Sequence, residues 1–346
     1  MFKRALLAAA VAAAVSAPAF AEVAITGSME MNFVAADFTG GDEQYLDRGL
    51  VLNFDGSDKL DSGSKLIWRV SQKITSGAPT QEIAASGTGT LNQNTWGGRE
   101  AWVGLSGDWG TFKAGRQFLN SYLTLDWPYG QGGFWQLAEN NWATSAAAGK
   151  LTANFFAPTS VNYQSPNFGG FSFGVQHSWD TFDSQMRPAW GAPQLDQYTI
   201  TDLSASFSTG SLNLNAGYLF GEDIAGVGTS QDQYYIGATY GFDFGLNVRA
   251  LYTGYSNDTG AGAEYDGYDW IVGGTYGWGK SFVKAAYQAT QGDQATVGAV
   301  DDGEIWSIEY GYSLSKNTVG YVRYQDRSED LYGDYDYVMV GVWTGF

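Results

Sequence analysis

The segment 65–74 carries basic side chains at regular spacing within an alternating sequence. Lys65, Arg69 and Lys73 share one face of an extended strand, because successive strand side chains point to opposite faces. The other face is apolar and carries Leu66, Trp68, Val70 and Ile74. A central Arg or Lys on the lipid side of a membrane strand costs about 2–4 kcal/mol, so we expect the basic face to meet water. Cations in such a row can orient dipolar solutes and pair with carboxylates, which is electrostatic rather than covalent chemistry.

The same alternation places other ionisable side chains opposite apolar rows. In the segment 246–253, for example, Arg249 alternates with Leu246, Val248 and Ala250. This parity turns a set of charged side chains toward water, namely Lys113, Asp202, Arg249, Lys284, Glu309 and Arg323. The pattern predicts a charged, wet interior enclosed by an apolar exterior.

His177 is the only histidine of the chain. It falls in the row of Phe173 and Val175, whereas the neighbouring Ser178 points to the opposite face. Nucleophilic catalysis needs a nucleophile, a base and an orienting acid that converge on one point, and the sequence offers no such set. We therefore predict that the protein is not an enzyme. The rival interpretation, a hydrolase or adhesin on the same scaffold, predicts that a His177→Ala variant loses activity.

The elements that must position these side chains are strands. About sixteen segments of roughly ten residues alternate in polarity, which lies within the even-numbered range of bacterial barrels. Short connections such as Ser208–Ser211 and Gly241–Gly245 alternate with long ones such as 77–96 and 180–197. Short turns at one end and long loops at the other are typical of transmembrane barrels. The predicted fold class is all-β, a transmembrane antiparallel β-barrel of about 16 strands.

The longest connection, 118–157, differs from the others. It holds the acids Asp126 and Glu139 and the aromatic residues Trp127 and Trp135. A connection of this length inside a compact domain is usually functional. One interpretation is an external flap. The other, which we favour, is a loop folded into the lumen as a constriction.

The beginning of the chain and its composition indicate export. Residues 1–21 combine Lys3 and Arg4, an apolar run and a small-residue cleavage site, so we predict a signal peptide there and a barrel domain at 22–346. The net charge is −18, and removal of Lys3 and Arg4 would make it −20. Such acidity argues against a nucleic-acid partner. The chain has no cysteine, so no disulfide closes its fold.

Two segments and the last residue resemble the general diffusion porins of Gram-negative outer membranes. The segments are Arg99–Gln117, which reads REAWVGLSGDWGTFKAGRQ, and Ser160–Phe173, which reads SVNYQSPNFGGFSF; the terminal residue is Phe346. The resemblance implies a sixteen-stranded barrel, a homotrimer, and a long third loop folded into the lumen. In that family, acids on the loop face a basic cluster on the wall.

Site residues follow from the resemblance together with the parity argument. Arg99 stands where such porins carry a constriction arginine, and Gln164 stands where classical members often have another. The predicted constriction wall is Lys65, Arg69, Lys73, Arg99 and Arg249. The predicted pore-loop residues are Asp126, Glu139, Trp127 and Trp135.

The function predicted is an outer-membrane, water-filled channel for passive diffusion of small hydrophilic solutes and ions, with a preference for cations. The alternative is a substrate-specific channel with an aromatic-lined site for sugars or other ring-bearing solutes. Expected partners are outer-membrane lipid and lipopolysaccharide. No cofactor is expected, although Ca²⁺ would suit the clustered carboxylates of the outer loops, such as Asp37, Asp42 and Glu43.

Overall fold

The computed structural model describes residues 22–38, 41–76, 96–131, 137–138, 156–179, 199–223, 228–258, 264–294, 302–329 and 334–346. The strands are β1 Glu22–Phe38, β2 Gly41–Lys59, β3 Lys65–Ser76, β4 Glu100–Gly107, β5 Gly110–Phe118, β6 Phe156–Gln164, β7 Phe171–Trp179, β8 Thr199–Thr209, β9 Leu212–Glu222, β10 Ser230–Gly241, β11 Leu246–Asp258, β12 Glu264–Trp278, β13 Ser281–Gln294, β14 Gly303–Ser313, β15 Thr318–Glu329 and β16 Tyr335–Gly345. Between β5 and β6 lie a short helix, α1 (Asn120–Leu125), and a π-helical turn, Asp126–Gly130. The predicted signal peptide at 1–21 lies outside the described residues.

The sixteen strands form one closed antiparallel sheet in which each strand pairs with its sequence neighbours. The first strand closes the barrel against the last, with Ser28 opposite Gly345 and Phe38 opposite Tyr335. Closure leaves none of the sixteen described strands as an edge strand, which is the condition for a sheet to lie in lipid. The predicted all-β barrel of about sixteen strands is confirmed.

Alternate residues of each strand face opposite sides of the barrel wall. In β14, Trp306 and Ile308 are 44% and 47% exposed, whereas Ser307 and Glu309 are each 2% exposed. The apolar row therefore forms the exterior and the polar row lines the interior, as the alternation predicted. Among the described residues, no helix has the length and apolar character needed to cross a bilayer.

Aromatic rings on the exterior form two belts. Near the longer connections, the ring pairs are Tyr234–Tyr252, Tyr252–Tyr268, Trp270–Tyr287 and Trp306–Tyr324. Near the short turns, the ring pairs are Tyr240–Phe242, Phe242–Phe244, Tyr276–Trp278 and Trp278–Tyr310. Tyr and Trp prefer the two water interfaces of a bilayer, so the belts mark the membrane-spanning height of the barrel.

The described parts of the connection between β5 and β6, residues 119–131 and 137–138, lie inside the barrel, which confirms the lumenal loop. Its apolar residues Leu119, Leu125, Tyr129 and Leu137 are buried, each at most 1% exposed. They join one apolar cluster with inward-facing wall residues from five strands, namely Ile200, Leu219, Tyr235, Leu251 and Ile271. These wall residues depart from the polar-inward pattern, and they form the seat that holds the loop.

Candidate functional site

The helix α1 is attached to the wall by a buried carboxylate. Asp202 on β8 is fully buried, and its Oδ2 accepts a hydrogen bond from the Ser121 backbone N–H at 2.8 Å. The Ser121 hydroxyl donates to Oδ1 of Asp202 at 2.6 Å. Backbone N–H groups in the first turn of a helix have no partner within the helix, so a carboxylate there supplies both hydrogen bonds and favourable charge. Asp202 faces inward as predicted, but its role as a loop anchor was not foreseen.

Neutral amides continue this attachment on the neighbouring strands. The Asn120 backbone N–H donates to Oε1 of Gln176 at 3.0 Å. The side-chain amides of Asn162 and Gln164 each donate to Oδ1 of Asn120 at 2.7 Å. Gln176 in turn donates to the carbonyl of Phe118 at 3.1 Å. The start of the loop is therefore held by hydrogen bonds to β6, β7 and β8.

The π-helical turn is held on the next part of the wall. The Tyr129 hydroxyl donates to Oδ1 of Asn215 at 2.9 Å. A Cβ at Gly237 would lie 2.3 Å from the Tyr129 hydroxyl oxygen, so only glycine leaves room for the ring. Burial raises the pKa of the Tyr129 hydroxyl. Because the raised pKa keeps Tyr129 protonated, its hydroxyl stays a hydrogen-bond donor into the alkaline range.

Arg249 faces inward as the alternation predicted, but it is only 3% exposed. Its Nη2 donates to Oγ1 of Thr275 at 2.8 Å, and its Nη1 lies 3.5 Å from the carbonyl oxygen of Pro128. Thr275 also donates to Oε1 of Gln131 at 2.8 Å. Arg249 therefore supports the turn from beneath, and its predicted place in the constriction wall stays a prediction.

The far end of the described loop reaches the opposite wall. The carbonyl of Leu137 accepts hydrogen bonds from the Ser307 hydroxyl at 2.6 Å and from the Gln325 side chain at 3.2 Å. These two residues lie on β14 and β15, whereas the loop leaves the wall at β5. The described parts of the loop thus contact the inner wall from β6 to β15 and narrow the bore.

Arg69 faces the lumen and binds two carboxylates of its own wall. Its Nε and Nη2 donate to the Asp55 carboxylate at 2.7 and 3.2 Å, and its Nη1 donates to Oε2 of Glu100 at 3.3 Å. The sequence interpretation had overlooked Asp55 and Glu100. Pairing β2 with β3 about the short turn between them would have found the first, because Asp55 lies opposite Arg69.

Two other basic side chains near the loop pack on aromatic rings. The Lys113 ammonium lies 4.4 Å from the Trp102 ring centre, and the Trp102 indole N–H donates to Oε1 of Glu100 at 3.0 Å. The Arg99 guanidinium lies 4.9 Å from the ring centre of Phe118, the last residue of β5. Cations over aromatic faces are attracted by the ring quadrupole, which fixes their position.

The other predicted wall residues lie at different heights. Lys65 is exposed at the short-turn end of β3 and lies opposite Lys59 of β2 in the strand register. Lys73 lies opposite Val51 of β2. Four residues of a strand span about 13 Å, so each is displaced along β3 by about that distance from Arg69. One strand therefore does not bring all three cations to one level.

The predicted acids and aromatics of the loop are only partly within the described residues. Asp126 and Trp127 lie in the π-helical turn, whose backbone alone is described there. Trp135 and Glu139 lie outside the described residues. In the described part of the chain, no three acidic or histidine side chains come together as a metal site.

A second ionic cluster lies on the wall formed by β13, β14 and β15. Oε1 of Glu309 lies 2.8 Å from the Lys284 ammonium, and Oε2 lies 2.5 Å from Nη2 of Arg323. Glu309 and Arg323 are each 2% exposed. The Tyr321 hydroxyl lies 2.6 Å from Oε1 of Glu30 on the adjoining wall. Parity had placed Lys284, Glu309 and Arg323 together on the inner face, which the structure confirms.

Comparison with protein families and with known proteins shows which proteins this chain is similar to. A family model described as Gram-negative porin matches residues 8–330. Chitoporin from Vibrio furnissii is 26% identical over 366 aligned residues, covering 100% of this chain and 91% of that protein. Major outer membrane protein P.IA of Neisseria meningitidis serogroup C is 32% identical over 133 residues, which span 38% of this chain and only 29% of that relative.

Solved structures show the same fold. The anion-selective porin from Comamonas acidovorans superposes with a TM-score of 0.73 at 19% identity, covering 94% of this chain and 100% of that chain. OmpT of Vibrio cholerae in its trimer form superposes with a TM-score of 0.66 at 13% identity, covering 94% of this chain and 99% of that chain.

Proposed function

Because this chain belongs to the Gram-negative porin family, we propose that it forms a water-filled channel through which small hydrophilic solutes and ions diffuse passively across the outer membrane. The observation that carries the proposal is a polar-lined closed barrel narrowed by a loop that is anchored on both sides of the lumen. Asp202 holds the loop at β8, and Ser307 and Gln325 hold it at β14 and β15. A narrowed aqueous bore selects solutes by size and charge.

We propose further that the channel prefers cations. The chain carries a net charge of −18. Arg69 is matched by two carboxylates of its own wall, so it does not act as an isolated cation. Low-dielectric walls focus the field of the remaining acidic charge into the bore. The anion-selective porin is similar in fold, but selectivity depends on the side chains that face the solute.

Arg69→Ala is expected to increase the cation preference, because it leaves Asp55 and Glu100 without their shared cation. A unit charge changes the energy of an ion about 8 Å away by about 0.5 kcal/mol in water, which is roughly a two-fold change in local concentration. The measurement is the reversal potential in a KCl gradient across a planar bilayer. Arg48→Ala is the matched control, since Arg48 is exposed and pairs with the outward-facing Met31. Anion preference of the unmodified protein would refute the selectivity proposal.

The same proposal assigns Lys65, Lys73 and Arg99 to the charged wall and Asp126 and Glu139 to the facing loop. Support comes from the inward face of β3 for the two lysines and from the packing of Arg99 on Phe118. Asp126→Asn is expected to move the reversal potential toward anions. An unchanged reversal potential in both Arg69→Ala and Asp126→Asn would remove these assignments.

The second candidate function is a substrate-specific channel for sugars or other ring-bearing solutes, in which Trp127 and Trp135 stack on the solute. The full-length match to a protein named chitoporin favours it. The two candidates differ in one observable. Only a substrate-specific channel shows a saturable block of ion current by its solute, whereas a general channel shows a linear response.

We also propose a homotrimer in the outer membrane, in contact with lipid and lipopolysaccharide, after removal of residues 1–21. A solved structure of the same fold is described as a trimer form, which supports the assembly. The expected result is a band at about three times the monomer mass on unboiled gels that collapses on heating. N-terminal sequencing of the purified protein should begin at Glu22.

A further inference from the structure

The inner wall beneath α1 differs in character from the wall that carries Arg69. Toward the short turns, the side chains of Gln164, Ser172, Ser204 and Ser206 project from β6, β7 and β8. All four are neutral and can both donate and accept hydrogen bonds. They line a cavity of about 240 Å³ between α1 and the wall.

A glycine brings the polar groups of this cavity together. Gln164, Gly174 and Ser204 lie directly opposite one another on three adjacent strands. A Cβ at Gly174 would lie 2.5 Å from Nε2 of Gln164 and 2.7 Å from Oγ of Ser204. Because Gly174 has no side chain, the Gln164 amide and the Ser204 hydroxyl occupy the space beside it from the two neighbouring strands.

The next row of the cavity is a pair of hydroxyls. The Oγ atoms of Ser172 and Ser206 lie 2.8 Å apart and share one hydrogen bond. A hydroxyl has one donor and two acceptor sites, so this pair keeps capacity for a ligand. Gln164 donates to Asn120, which leaves its carbonyl oxygen as the group that accepts from a ligand.

The loop side of the cavity carries an apolar patch beside the polar residues Asn120 and Thr124. Leu123 of α1 lines it and is 54% exposed, and Phe118 lines it next to the start of α1. Two charged residues at the rim, Glu100 and Lys113, carry opposite charges. The cavity thus offers hydroxyls and amides from the wall, an apolar patch at Leu123 and Phe118 on the loop side, and no net charge.

We propose that this cavity is a subsite for a neutral, hydroxyl-rich solute the size of a single sugar ring. A sugar ring presents hydroxyls around its edge and C–H groups on its faces, which matches the polar wall and the apolar patch at Leu123 and Phe118. Drug-sized ligands occupy pockets of about 300–1,000 Å³, so this smaller cavity suits one ring. The proposal rests on the second candidate function, the substrate-specific channel, because a solute that occupies this cavity blocks the bore through which it arrives. It names the solute class and places the site on the wall rather than on the aromatic residues of the loop.

The test is a titration of single-channel current in planar bilayers with glucose, using the full protein. Gluconate and glucosamine serve as charged probes of similar size. We expect a saturable decrease of KCl conductance with half-block at millimolar glucose and weaker block by both charged sugars. The double variant Ser204→Ala/Ser206→Ala should raise the half-blocking concentration by about ten-fold, the equivalent of one or two lost hydrogen bonds. Ser206→Thr, which keeps the hydroxyl, should retain the block.

Thr239→Val is the matched control, because Thr239 lies on the inner face of β10 and outside the cavity. Its half-blocking concentration should equal that of the unmodified protein. A glucose response that only follows bulk conductivity, or an unchanged half-block in the double variant, would overturn the subsite. Absence of any KCl conductance without sugar would instead overturn the proposed channel function, so the two failures are distinguishable.

Discussion

Asp202→Ala is expected to release α1 from the wall and convert a steady pore current into one with frequent fluctuations. The substitution removes both acceptors of the 2.8 and 2.6 Å hydrogen bonds from Ser121. Hydrogen bonds to a charged group contribute about 1.5–3 kcal/mol each. Loss of both should raise the detached population of the helix by at least about a hundred-fold, since each 1.4 kcal/mol is a factor of ten.

The measurement is single-channel recording at stepped voltages. In Asp202→Ala, the rate of current fluctuations should rise by one to two orders of magnitude, and closures should begin at lower voltage. Asp202→Asn keeps one acceptor and should lie between the variant and the unmodified protein. Asp232→Asn is the control, because Asp232 accepts a hydrogen bond from Tyr218 on the exposed side of the barrel. If Asp202→Ala and Asp232→Asn behave alike, Asp202 does not hold the loop.

Glu309→Gln is expected to lower the free energy of unfolding by about 3–5 kcal/mol, the range measured when one partner of a buried ion pair is removed. Glu309 is the carboxylate shared by Lys284 and Arg323. Without it, two cations remain in a wall where Arg323 is only 2% exposed. Replacing Arg323 as well, in Glu309→Gln/Arg323→Gln, should recover part of the loss because fewer charges then remain buried.

Urea unfolding of detergent-refolded barrel, followed by tryptophan fluorescence, measures this effect. Glu304→Gln is the matched control, since Glu304 lies on the same strand and is exposed. It should change the free energy of unfolding by no more than about 0.5 kcal/mol. Equal stability of Glu309→Gln and Glu304→Gln would show that the cluster around Glu309 does not stabilise the wall.

The two ionic sites show which side-chain contacts can be predicted from the pairing of neighbouring strands. Lys284 lies opposite Glu309, and Glu309 lies opposite Arg323. Asp55 lies opposite Arg69 in the same way. The contacts of Glu309 with Arg323 and of Asp55 with Arg69 join strands connected by a short turn, so alternation combined with hairpin register is enough to predict them. Lys284 and Glu309 lie on strands that are separated by a longer connection, which fixes their register less closely. Alternation within a single strand does not reveal the pairing of Arg69 with Asp55, because that contact depends on the register between β2 and β3.

The attachment of the third loop could not be predicted in this way. Ser121 meets Asp202 at a separation of 81 residues, and Leu137 meets Ser307 at a separation of 170. No strand register relates these residues. The sequence did contain an unused signal, because Leu219, Leu251 and Ile271 are apolar at positions where parity calls for polar side chains. An apolar residue on the water-facing side of the wall indicates that another part of the protein covers it. The pattern does not identify that part.

Alternation along the chain was sufficient to determine the strands, the two faces of the wall and the inward direction of Arg249, Glu309 and Arg323. This is so because side-chain direction in a strand is a local property with a period of two. Only the tertiary structure decided which side chains remain in contact with the bore. Arg249 contacts the loop and Asp202 anchors it, because their surroundings depend on how the loop packs along the wall against strands that are distant in sequence.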